Sequence, residues 1–183
     1  MFFFSCLLTE HWYWFAPDLD LADWYRETFP ESSGEIPERL AAELTAVAAW
    51  NRRRDWRKTL AVFIGEGRHT VDAIAEFEIQ LLPSPQQNLE EFAQLIYGKA
   101  SQHDSITLHE FSMLPTASGE SIATLESYDA QQEKVFRYRS WSQADARSVM
   151  NFTITTRDAQ FLPNVIETGQ IATESMVFEQ ETV

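Results

Sequence analysis

Hydrophobic positions recur along this chain with two periods, and the switches between them outline its elements. Residues 2–8 ("FFFSCLL") and 11–15 ("HWYWF") are dense in apolar and aromatic side chains, as buried strands are. In 11–15 one side carries Trp12 and Trp14 and the other His11, Tyr13 and Phe15, and the tryptophans are expected inside. Leu21, Trp24, Tyr25 and Phe29 then share a helical face, with Asp18 or Asp20 as cap and Pro30 as stop. A second helix starts near Pro37, carries Leu40, Leu44 and Val47 beside Ala41 and Ala48, and ends within "NRRRDW".

The period then drops to two. "TLAVFI" (59–64) is apolar on both faces, as a central strand is. From 71 to 81 the odd positions are Val71, Ala73, Ala75, Phe77, Ile79 and Leu81, while Asp72, Glu76, Glu78 and Gln80 stand between them. That alternation marks a long half-buried strand, and "GEGR" turns the two segments into a hairpin. "PSPQQN" leads to a helix over 89–97, with Asn88 and Glu91 spaced as a capping box and Gly98 as stop. Strands follow at about 105–113, 120–128, 133–141 and 148–156, joined by the turn-like "TASGE", "DAQQE" and "SQADA". In the last of them Met150, Phe152 and Ile154 oppose Asn151, Thr153 and Thr155. A closing helix carries Leu162, Val165, Ile166, Gly169 and Ala172, with Pro163 in its first turn. Residues 178–183 are expected to be a loose tail. The pattern predicts an α+β fold, a twisted antiparallel sheet with helices packed on one face, in a single domain spanning 1–183.

Composition narrows the function classes. Hydrophobic residues make up 44% of the 183, enough for one sizeable core. The net charge of -14 repels phosphate backbones and acidic membrane surfaces, so neither nucleic acid nor membrane is expected as a partner. Cys6 is the single cysteine, so no internal disulfide forms. "MFFFSCLLTEH" lacks the basic start and small-residue end of a signal peptide, and the expected address is the cytoplasm.

Several candidate chemistries fail on spacing. "LHEFSM" opens like a zincin motif, but Met113 stands four residues after His109 and the segment reads as a strand. "GEGRHT" precedes a strand, not the helix N-terminus a phosphate loop needs. "DLDLAD" lacks the central Gly and terminal Glu of a calcium loop. His103, Asp104 and Ser105 are chain neighbours, which a triad's converging roles do not favour. Cys6 sits in an apolar run, where a thiol is unreactive. The sequon Asn151-Phe152-Thr153 carries no weight without a signal peptide. No catalytic, cofactor or metal residue is assigned.

Two basic clusters remain as partner-contact candidates. "RRRDWRK" holds Arg52, Arg53, Arg54, Arg57 and Lys58, five of the fourteen basic residues. Complementing a helix C-terminus accounts for one or two of them; a contact patch would use the rest. "KVFRYRSW" puts Val135, Arg137, Arg139 and Trp141 on one strand face, where Arg beside an aromatic ring can bind a peptide. The candidates are therefore Arg137, Arg139, Trp141, Arg52 and Arg53.

"HWYWFAPDLDL", the helix "ERLAAELTAVAAW", the hairpin end "EFEIQLLPSP" and the closing "VMNFTITTRDAQFLPNVIETGQIATESMVF" resemble a group of uncharacterised actinobacterial proteins. That resemblance implies no active site. The order of elements also resembles PsbP-like folds, including chaperones that hold secreted effectors, which implies a twisted sheet binding a partner segment. A non-catalytic protein-binding module, adaptor or chaperone-like, is the first expectation. It calls for an exposed sheet face or edge and no deep polar pocket. A homodimer built through the sheet is the second. A small-ligand carrier or enzyme is the third, and calls for a pocket with converging His and carboxylates.

Overall fold

The computed structural model describes residues 2–32, 35–52, 59–67, 69–81, 88–89, 91, 106–117, 119–130 and 132–180. Its elements are β1 (Phe2–Ser5), β2 (Trp12–Phe15), α1 (Leu21–Thr28), α2 (Glu38–Arg52), β3 (Thr59–Phe63), β4 (Ala73–Leu81), β5 (Ile106–Thr116), β6 (Gly119–Ala130), β7 (Glu133–Gln143), β8 (Ser148–Thr156), α3 (Leu162–Glu174) and β9 (Val177–Gln180). Seven strands form one antiparallel sheet in the order β2-β3-β4-β8-β7-β6-β5, and β1 pairs with β9 in a small antiparallel ribbon. The α+β class and the antiparallel sheet agree with the periodicity.

Local chemistry explains the element ends. Asp20 caps α1, its Oδ1 accepting from the Ala22 and Asp23 N–H groups at 2.9 and 3.2 Å. The β3–β4 hairpin forms as expected, with Ala61 opposite Ala75 and Phe63 opposite Ala73. The Glu91 N–H donates to Asn88 Oδ1 at 2.8 Å, the cap its spacing implied; the helix expected beyond it, at 92–97, lies outside the described residues. Pro163 occupies the first turn of α3, where its missing N–H leaves no helical bond broken.

Three expectations are corrected. The helices do not share one face. α1 and α2 cover Phe15, Leu60, Val62 and Ile64, whereas α3 and the β1–β9 ribbon cover the opposite side of the sheet. The reason is β3: apolar on both faces, it needs cover on both. The expected tail is also partly wrong, because Val177–Gln180 is a strand bonded to β1; only 181–183 lie outside the described residues. The tryptophans divide as well. Trp12 is buried among Phe63 and the α3-side core, but Trp14 is 48% exposed beside Phe4 and Phe77. Phe15 is the buried residue of the other face, where Trp24 packs edge-on against it at 5.2 Å.

The α3 side is sealed by a close approach. A Cβ on Gly169 would lie 2.5 Å from the Tyr138 ring, so only glycine lets the helix touch β7 there. The Tyr138 hydroxyl and Thr173 Oγ1 are 3.0 Å apart, and Thr173 Oγ1 donates to Ser140 Oγ at 2.9 Å. Burial pushes the Tyr138 phenol and the Cys6 thiol up to about 12.

Gly169→Ala is expected to destabilise the fold. Its helix-propensity gain of about 1 kcal/mol is outweighed by overpacking of roughly 1–3 kcal/mol, read as a lower urea midpoint at unchanged slope. Alkaline stability gives a second outcome. Cys6 and Tyr138 ionise near 9.0 and 10.0 when unfolded but near 12 when folded. Their contribution is whole below the unfolded values and is lost as pH climbs through the folded ones. The unfolding midpoint should therefore fall from about pH 9 to 12, and less steeply in Tyr138→Phe.

Candidate functional site

Where α1 and α2 end their cover, the sheet face beneath them turns polar. β4 passes from Ile74 to Glu76 and Glu78, and β8 sets Asn151, Thr153 and Thr155 on the same side. The ladder continues across β7, so that Glu76, Thr153 and Arg139 lie side by side, as do Glu78, Asn151 and Trp141. A cleft of about 1160 Å³ opens over this floor. One wall is the outer side of α2, with Arg39, Glu43, Val47 and Trp50; the other is the β6–β7 hairpin, with Tyr128, Ala130 and Lys134.

The cleft is electrically balanced inside an acidic chain. Arg39, Lys134, Arg137, Arg139 and Arg157 line it together with Glu43, Asp72, Glu76, Glu133 and Asp158. Most of the geometry is ion-paired. Arg39 Nε donates to Glu43 Oε1 at 3.1 Å, and Arg157 Nη1 lies 3.0 Å from Glu133 Oε2. The other oxygen of Glu43 accepts the Val71 N–H at 2.6 Å, which ties the start of β4 to α2. The deepest pair is Arg137 with Glu126. Two guanidinium nitrogens, Nε at 2.9 Å and Nη2, donate to Glu126 Oε2, while the Thr124 hydroxyl donates to Oε1 at 3.1 Å. Glu126 is fully buried, so this pair is a structural clamp as much as a surface feature. Arg137 also lies 5.0 Å from the Tyr128 ring and Arg139 5.3 Å from the Trp141 ring.

One group points at a missing partner. Asn151 is 7% exposed, lines the cleft, and its Oδ1 has no hydrogen-bond partner. A buried acceptor left so costs on the order of 1–3 kcal/mol. The same burial on a central strand closes the sequon at Asn151 to glycosylation.

The sequence candidates fare unequally. Arg137 and Arg139 come together at the cleft floor. Trp141 shares their face but is wholly buried, so it supports Arg139 and cannot itself meet a partner. Arg52 is exposed at the end of α2, outside the cleft lining, with Nη2 donating to the Pro17 carbonyl at 2.8 Å. Arg53 lies outside the described residues. Asn151, Glu126 and the outer side of α2 were missed. The alternation of β8 did place Asn151 on a polar face, but only the cross-strand register shows what stands beside it.

The histidines lie elsewhere. His109 sits on β5 with Nε2 2.7 Å from Ser127 Oγ, His11 packs edge-on to Phe63, and His69 is exposed in the β3–β4 connection. His103, Asp104 and Ser105 lie outside the described residues. Among the described residues, no three His, Cys, Asp or Glu side chains gather as metal ligands, and no helix is long and apolar enough to cross a membrane.

No family model matches this sequence, and no curated protein matches it. Solved structures do resemble it. One is LpqN, a Mycobacterium tuberculosis protein involved in cell envelope biogenesis, at 10% identity and a TM-score of 0.55, covering 98% of this chain and 85% of LpqN. That likeness is one of fold alone. Another is PA94, a Pseudomonas aeruginosa protein of unknown function, at 14% identity and a TM-score of 0.40, over 63% of this chain and 83% of PA94. It is too loose a match to carry an argument.

Glu126→Ala should cost about 3–5 kcal/mol, since it strands the Arg137 charge in a nearly dry site. The double replacement Glu126→Leu with Arg137→Met should recover most of that loss in chemical denaturation.

Proposed function

We propose that this chain is a non-catalytic protein-binding module, adaptor-like or chaperone-like, which holds an extended segment of a partner protein in the cleft beside α2. The cleft carries the proposal. At about 1160 Å³ it exceeds the roughly 300–1,000 Å³ of sites that enclose a small ligand. Its walls offer the Trp50 ring and the alkyl parts of Val47 and Lys134 for side chains to pack on. Its floor is a polar strip of Thr153, Thr155 and Arg139 side chains, the kind of surface that suits the N–H and C=O groups of an extended backbone.

Catalysis would draw on a histidine converging with carboxylates, and none of the described histidines lines the cleft. Five cations matched by five anions give no positive track for a phosphate backbone. The expected absence of a deep polar pocket does not hold, since the floor of this cleft is polar. The resemblance to PsbP-like folds supports a sheet that holds a partner segment. With one cysteine and no internal disulfide, the chain suits a reducing compartment such as the cytoplasm.

Ala46→Arg tests the proposal. Ala46 is exposed on α2 and lines the cleft, so an arginine there blocks it without disturbing the core. Affinity capture from the source cells should recover a partner with the wild type and lose it, by tenfold or about 1.4 kcal/mol, with Ala46→Arg. Equal recovery by both would sink the assignment.

A further inference from the structure

β5 closes one end of the large sheet and, among the described strands, pairs with β6 alone. An open edge presents N–H and C=O groups that recruit another strand, and proteins commonly guard it with charges, lysine above all. β5 has one charged residue in eleven, Glu110. Its Leu108, Phe111 and Met113 are 45%, 46% and 51% exposed. They stand opposite Glu126, Thr124 and Ile122 of β6, and therefore on one face; the bulge between Leu108 and Glu110 keeps Leu108 in that row. The bulge and Pro115, which has no N–H to donate, guard the two ends of this edge and leave the stretch from Glu110 to Leu114 between them; scattered exposed apolar residues need no explanation, but a row of them on such an edge does.

We propose that two copies of this chain pair here, β5 against β5 and antiparallel, about a two-fold axis at Phe111. Phe111 is the middle residue of Ile106–Thr116, so the symmetric pairing is centred on the strand. In that register Glu110 faces Ser112 and Met113 meets the partner's bulge, with no like charges opposed. Centring on Glu110 instead would set two carboxylates face to face, which is destabilising. An isologous contact doubles the apolar row, since each copy brings its own Leu108, Phe111 and Met113 to the same side. The sheet's other end strand, β2, is uncharged but has only four residues against the eleven of β5. Charge permits the approach: two chains of net charge -14 repel each other, and β5 carries a single acid. Salt therefore strengthens the dimer by screening that repulsion, the reverse of an interface built on ion pairs.

Light scattering on the full chain at micromolar to submillimolar concentration tests this. The expected mass is about twice 21.1 kDa, with a dimer fraction that rises with salt. Phe111→Glu should return the monomer with the circular dichroism of the wild type, because the side chain is half exposed, and with a concentration-independent unfolding midpoint that the wild type approaches on dilution. Phe111→Cys gives a second readout. Opposed residues in an antiparallel pair lie within disulfide reach, and the half-buried Cys6 is replaced by Ser in both cysteine variants so that it does not compete. Mild oxidation should link Phe111→Cys chains on the order of 10² faster than a Leu19→Cys control. A monomer at every salt concentration, a dimer unmoved by Phe111→Glu, or cross-linking no faster than the control would each overturn the proposal.

Discussion

The pairing of β4 with β8 is the contact on which the rest of the molecule depends. It joins Ile74–Leu81 to Ser148–Thr155 across a long stretch of intervening chain, and so welds the β2–β3–β4 unit to the β5–β8 meander. Its register does two things at once. On the α3 side it lays Phe77 over Phe152, stacked at 4.6 Å, at the centre of the larger core cluster. On the α2 side it lines up Glu76, Thr153 and Arg139. A slip of one residue would turn the phenylalanines toward the cleft and the carboxylates toward the core, which no neighbouring group could satisfy.

That ladder also fixes where the helical cover stops. β3 is apolar on both sides and lies between α1–α2 and the opposite core. β8 is apolar on one side only, so nothing drives α2 further across the sheet. The polar remainder becomes a cleft floor whose charges are neutralised in pairs, and the meander beyond it ends in β5, thinly charged and open. The same sheet face is thus apolar under α1 and α2, polar at the cleft floor and apolar again along the Leu108, Phe111 and Met113 row of β5.

Much of this was legible in the chain, and the reasons for the rest are physical. Alternation from Val71 to Leu81 and from Met150 to Thr155 gave strands and faces directly, because side-chain direction in a strand follows position. Asp20 and Asn88 announced their caps for the same local reason. What failed was non-local. Nothing within residues 177–180 reveals that β1 waits to pair with them, and nothing in "HWYWF" reveals that Trp14, beside Phe4 of β1, stays half exposed while Trp12 is buried. Arg137 and Arg139 were visible as an Arg-aromatic strand, but their roles differ through partners on other strands. Glu126 claims Arg137, and Trp141 disappears beneath Arg139.

The fold shared with LpqN carries no activity with it, so the proposed function rests on the cleft. In that proposal the polar floor, with its arginines held on ion-paired and aromatic supports, meets the backbone of a partner segment. The most direct measurement is the nuclear magnetic resonance spectrum of the side-chain N–H groups, recorded free and with the captured partner. The account predicts that the Trp50 indole, the Asn151 amide and the Arg139 guanidinium shift together while α3 and the β1–β9 ribbon stay fixed. Shifts confined to α3 and the ribbon, with those three signals unmoved, would contradict it.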